Sequence, residues 1–188
     1  MLIGGLEIKP EPNVNILVIL RDGKNEEVTT DNESFHLLCT ICASNVTDDQ
    51  TKIYWLRGKP PTVLPAECTL QPRQLSRITL RYFNENLVRG IVSFCSIAHK
   101  IPGQIVVIVE FNENDMAHEE TLPGLLALLT DMGNYYSTVS KGAHFLQNIF
   151  PVTALIRTSR IYEFGLVASL YTNCIIRIEN GIPKNMLA

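Results

Sequence analysis

The sequence predicts an antiparallel β-sandwich at the front and an α+β extension at the back. Three observations carry that prediction. Residues 78–82 alternate strictly, with Ile78, Leu80 and Tyr82 on one side and Thr79 and Arg81 on the other. Such alternation marks a half-buried antiparallel strand. Turn signals recur every ten to twenty residues up to about residue 113, as in an all-β domain. Beyond the acidic stretch 112–120, longer apolar runs of helical length replace the short ones.

The first strand is expected at 13–20, with Val14, Ile16, Val18 and Leu20 on one face and Leu17 and Ile19 making the other face apolar too. Asp22-Gly23 then supplies a turn. Strands follow at 35–43 and at 53–56, the latter holding the single tryptophan, Trp55. Gly58-Lys59-Pro60-Pro61 breaks the chain. The strand 78–82 leads through a loop with Asn84 and Asn86 to a second apolar strand at 90–97. Pro102-Gly103 turns the chain into 104–111, whose β-branched composition suits a fully buried strand.

The segment 112–120 carries four carboxylates and no lysine or arginine. It reads as a solvated linker whose charge favours the N-terminus of a following helix. A helix is expected at 125–132, ended by Gly133-Asn134. A second is expected at 135–150, closed by Pro151. The chain then returns to strands, at 152–156 and in a hairpin over 162–178 centred on 170–173, and Asn180-Gly181 ends the last strand. The division falls after residue 113: 1–113 as the sandwich, 114–188 as the extension packed on it, with one continuous domain as the alternative.

The chain has 188 residues, 46% of them hydrophobic, and a formal net charge of −3. A core can form, and global disorder is excluded. The acidic balance disfavours a dedicated nucleic-acid binder. No signal peptide or membrane-length apolar run is read, so a soluble, cytoplasmic protein is expected. Five scattered cysteines are then expected as free thiols.

Two patterns of the immunoglobulin-like sandwich fit the same residues. Cys39, Trp55 and Cys95 resemble the Cys, Trp, Cys order of the extracellular kind, and Asn45-Val46-Thr47 forms a glycosylation sequon. That likeness implies a secreted binding protein. Over about residues 35–113 the chain resembles the intracellular PapD-like, major sperm protein and Hydin-type domains. Pro65, Leu70 and Pro72, then Ile78, Leu80 and Tyr82, match that pattern, whereas Cys68 stands where glycine is usual. The resemblance implies a non-enzymatic protein-interaction or assembly module. Trp55 is then expected in the core, with Cys39 and Cys95 near it on facing sheets. The order of strands, helices and closing hairpin, with Phe164-Gly165-Leu166-Val167, also looks like small viral matrix proteins that self-associate.

No residue set reads as catalytic, cofactor-binding or metal-binding. Cys39-x-x-Cys42 lies in an expected strand, where residues three apart face opposite sides. His118 among Glu113, Asp115 and Glu119 lacks calcium-loop spacing. Ser137, Ser140, Lys141 and His144 lack a nucleophile elbow and a partner acid. The surface singled out for a protein partner is basic: Arg77 and Arg81 on the polar face of one strand, with Arg73 and Arg89 nearby. Guanidinium groups suit carboxylates and phosphates.

Overall fold

The structure is a computed structural model that describes residues 2–3, 5–9, 14–22, 35, 39–40, 51–60, 70–116, 120–140 and 150–186. It overturns the expected antiparallel sandwich. The elements are β1 (Leu2–Ile3), β2 (Leu6–Glu7), β3 (Ile16–Asp22), β4 (Lys52–Arg57), α1 (Pro72–Leu75), β5 (Ile78–Tyr82), α2 (Leu87–Ala98), β6 (Ile105–Asn112), α3 (Thr121–Ser140), β7 (Val152–Thr158), α4 (Ile161–Ala168), β8 (Ile175–Glu179) and β9 (Ile182–Asn185). Strands β3 to β9 form one sheet in the order β5-β4-β6-β7-β3-β8-β9. Every neighbouring pair is parallel except β8 with β9. A small hairpin of β1 and β2 stands apart.

The apolar runs explain the parallel sheet. β3, β6 and β7 are buried along nearly their whole length. Strands covered on both faces read as continuous Val/Ile/Leu runs, because both sides lie in a core. Each such side chain, fully buried, contributes about 1.5–3 kcal/mol. One core holds Val18, Leu20, Tyr54, Leu56, Val107 and Val109 under α2, α3 and α4. The other holds Leu17, Ile19, Trp55, Val106, Ile108 and Leu155 with Phe35, Cys39, Leu70 and the hairpin residues Ile3 and Ile8.

Connections through α2, α3 and α4 step along the sheet in one direction. Those from β3 to β4 and from β4 to β5 step in the other. Right-handed crossovers then require opposite faces for the two sets, and the two cores agree. Helices on both faces of a mostly parallel sheet make a doubly wound α/β architecture. The division expected after residue 113 falls between β6 and α3, and β3 pairs with both β7 and β8 across it.

Several local expectations fail with the sandwich. The apolar strand expected at 90–97 is helix α2. Its buried residues Leu87, Gly90, Ile91, Phe94 and Ala98 recur at helical spacing, while Val92 and Ile97 are exposed. The hairpin expected over 162–178 is α4 followed by β8. α3 runs through Gly133-Asn134 instead of ending there. Of the strand expected at 35–43 only Phe35, Cys39 and Thr40 are described, and they are helical. Asn180-Gly181 does more than end a strand. With φ of 50° and 75° it forms the two-residue turn between β8 and β9.

The strand at 78–82 is present, but parallel and at the sheet edge. Trp55 is core, as expected, and shares its cluster with Cys39. Cys95 instead packs from α2 on the opposite side of the sheet, so the two cysteines do not flank the tryptophan. Burial pushes the Cys95 thiol up to about 11. Among the described residues no helix is long and apolar enough to cross a membrane.

Candidate functional site

Four central strands end in charge on one face. Alternation puts Leu17, Ile19 and Arg21 on the same side of β3, and Ile53, Trp55 and Arg57 on the same side of β4. Val106, Ile108 and Glu110 do so on β6, and Leu155 and Arg157 on β7. The sheet order and its register set Arg57 beside Glu110, and Arg157 beside Arg21 two residues further along the strands, above an apolar layer.

Glu110 is the hinge of this layer. Its side chain is 6% exposed. Arg157 Nη2 donates to Glu110 Oε1 at 2.7 Å. Arg57 Nε stands 3.4 Å from Glu110 Oε2, an ion-pair distance without a hydrogen bond. The Arg57 guanidinium carbon also lies over the Trp55 ring, 5.2 Å from its centre, within cation–π range. Arg21 is buried, and burial together with the Arg157 charge lowers its pKa, while Glu110 acts against them.

A cleft of about 450 Å³ opens above this layer. Arg57, Glu110 and Arg157 line it at the strand ends, with Gly58, Lys59 and Pro60 after β4, Asn84 after β5, Phe111 and Asn112 at the end of β6, and Asn114 and Asp115 beyond it. Its place in the topology is specific. The connection leaving β4 goes out to edge strand β5, and that leaving β6 goes the other way, to β7. The strand ends therefore part company between β4 and β6. Open α/β sheets bind ligands in this crevice, because no connection covers it.

The rim is held by its own bonds. Asn84 takes a left-handed φ of 50° and donates its backbone N–H to the Gly58 carbonyl at 2.6 Å. Asparagine tolerates that conformation better than most residues. The Asn112 N–H donates to Asp115 Oδ2 at 2.8 Å, which closes the short turn after β6. Glu113 ties this turn to the next strand. It accepts from the Thr158 hydroxyl at 2.7 Å and from the Ser159 N–H at 2.8 Å.

The Thr158 hydrogen bond, helped by the Ser159 backbone and hydroxyl, holds the Glu113 carboxyl below its ordinary value against a smaller opposing effect of burial. A folded pKa below the unfolded one stabilises the fold above the unfolded pKa, and the gain is lost as pH falls through the folded one. Glu113→Gln is therefore expected to cost a few tenths to about 1 kcal/mol near neutral pH, since the group is half-buried and partly screened by solvent. The difference from wild type should shrink in acid, below the ordinary carboxylate range. Urea midpoints of both proteins at pH 7 and pH 3 check this, and a cost that grows in acid would refute it.

The arginines singled out from the sequence lie elsewhere. None of Arg73, Arg77, Arg81 and Arg89 lines the cleft. Arg81 is laid over the Tyr54 and Phe94 rings at 5.6 and 5.4 Å. Arg73 lies on α1 and Arg89 is exposed on α2. Cys42, Cys68, His118, Lys141, His144 and the sequon 45–47 lie outside the described residues. The layer Arg21, Arg57, Glu110 and Arg157 was not found from sequence, although a signal exists. The runs Ile-Leu-Val-Ile-Leu, Ile-Tyr-Trp-Leu, Ile-Val-Val-Ile-Val and Val-Thr-Ala-Leu-Ile are each followed at once by one of these four charges.

No family model matches the chain, and no curated protein is similar to it at a significant level.

Proposed function

We propose that this chain binds a small anionic molecule in the cleft between the ends of β4 and β6. The observation that carries the reading is the convergence of Arg57, Lys59 and Arg157 on one cavity of about 450 Å³ at the switch point of the sheet. Small-molecule sites span roughly 300–1,000 Å³ and combine a shaped cavity with a few placed polar groups. Guanidinium pairs recognise carboxylates and phosphates. Glu110 supports the reading because it holds two such groups in place before any ligand arrives, which lowers the cost of ordering them.

The protein-interaction and assembly roles expected from the sequence are implied by a resemblance to immunoglobulin-like sandwiches, and the mostly parallel sheet is not of that kind.

Calorimetric titration with inorganic pyrophosphate tests the reading. Binding is expected, and it should weaken with added salt because exposed charges are screened. Lys59 is exposed on the rim, so Lys59→Ala leaves the buried layer intact. It is expected to weaken binding about tenfold, equivalent to ~1.4 kcal/mol. Absence of binding by pyrophosphate, phosphate esters and dicarboxylates alike would overturn the proposal.

A further inference from the structure

We infer that the ligand is a phosphate ester of a small polyol, of about monosaccharide size. This rests on the anion-binding reading of the same cleft and names the class of molecule. Three features lead to it.

The first is size. At about 450 Å³ the cleft lies within the range of small-molecule sites. Free phosphate leaves most of that space empty, so a ligand that fills it carries further groups, as a monosaccharide phosphate does.

The second is the chemistry of the walls. A nucleobase is held by stacking on an exposed aromatic face. Phe111 is the aromatic residue among the described lining, and it is 1% exposed. It therefore offers no platform. Asn84, Asn114 and Asp115 offer amide and carboxylate groups instead. Hydroxyl groups donate and accept, so they satisfy both kinds.

The third is the separation of charge. The guanidinium groups sit at the strand ends with Glu110. The Asp115 carboxylate sits in the turn above, where one oxygen accepts the Asn112 N–H. An ionised carboxylate accepts about four hydrogen bonds in all, so Asp115 can also receive ligand hydroxyls. A phosphate therefore goes down to Arg57 and Arg157, and the hydroxyl-bearing part points towards Asp115, Asn84 and Asn114.

The test is calorimetric titration of the full chain with ribose 5-phosphate, glucose 6-phosphate, ribose, inorganic phosphate and adenosine monophosphate. At least one sugar phosphate is expected to bind tenfold or more tighter than inorganic phosphate and than ribose. Adenosine monophosphate should bind no tighter than ribose 5-phosphate. In Asp115→Asn, which keeps an acceptor for the Asn112 N–H, the ratio of sugar-phosphate to phosphate affinity should fall to about one, with an unchanged melting temperature. Inorganic phosphate binding as tightly as every sugar phosphate overturns the inference but leaves the anion site standing. So does adenosine monophosphate binding tenfold tighter than ribose 5-phosphate. Failure of every anion overturns both.

Discussion

Glu110→Ala is expected to lower the unfolding free energy by about 3–5 kcal/mol, the range for breaking a buried ion pair from one side. The carboxylate stands between Arg57 and Arg157, and the three side chains are 6%, 8% and 15% exposed. Removing it takes from Arg57 and Arg157 a counter-charge that they share in low dielectric. Their solvation was lost on folding, and nothing in the apolar layer of Trp55, Ile108 and Leu155 beneath can replace the missing charge. Glu110→Gln should cost less, because the amide oxygen can still accept from Arg157. Urea unfolding with an unchanged slope measures both. A loss under about 1 kcal/mol for the alanine variant is the range of a surface pair, and it would show that water screens this layer.

The second large effect has an unusual sign. Glycine to alanine inside a helix usually stabilises by about 1 kcal/mol. Gly133→Ala in α3 is expected to destabilise by up to about 2 kcal/mol net. A Cβ at this position would stand 2.7 Å from the Asn15 carbonyl oxygen, just before β3. That neighbour is backbone, so no rotamer change relieves the contact. Helix and strand must move apart, at an overpacking cost of about 1–3 kcal/mol. The close approach is also held by the Asn15 amide donating to the Asn134 side chain at 2.7 Å. Gly124 is the internal control, since a Cβ there meets nothing within 4 Å. Gly124→Ala should raise the melting temperature and Gly133→Ala should lower it. Shifts of the same sign would show that helix propensity, and not this contact, decides the outcome.

Much of the local structure was legible in the chain. The apolar runs in β3, β4, β6 and β7 are strands, and Asp22, Asn84 and Asn180-Gly181 mark places where regular structure ends or turns. The misreadings share a cause. The alternation of residues 78–82 suggests antiparallel pairing, yet it reports only that one side of the segment is more apolar than the other. In β5, the edge of a parallel sheet, Leu80 and Tyr82 from the apolar side are exposed, while Arg81 from the polar side is half-buried over Tyr54 and Phe94. The double-sided apolar character of Ile16 to Leu20 and of Ile105 to Val109 was the better guide, because burial on both faces is what parallel strands require. For residues 87–98, a short apolar segment fits either period, and the choice of helix followed from the sheet face it had to cover.

By itself, the sequence determined which segments are buried and where charge interrupts them, because those depend on side-chain chemistry in each segment alone. Tertiary structure decided which segments became neighbours. β4 and β6 lie about fifty residues apart in the chain, with β5 and α2 between them, yet they pair directly. The cleft exists only because of that pairing and of the opposite departures of their connections. The physical reason is that strand order is selected by long-range packing of both sheet faces at once, and no local run of residues carries that information.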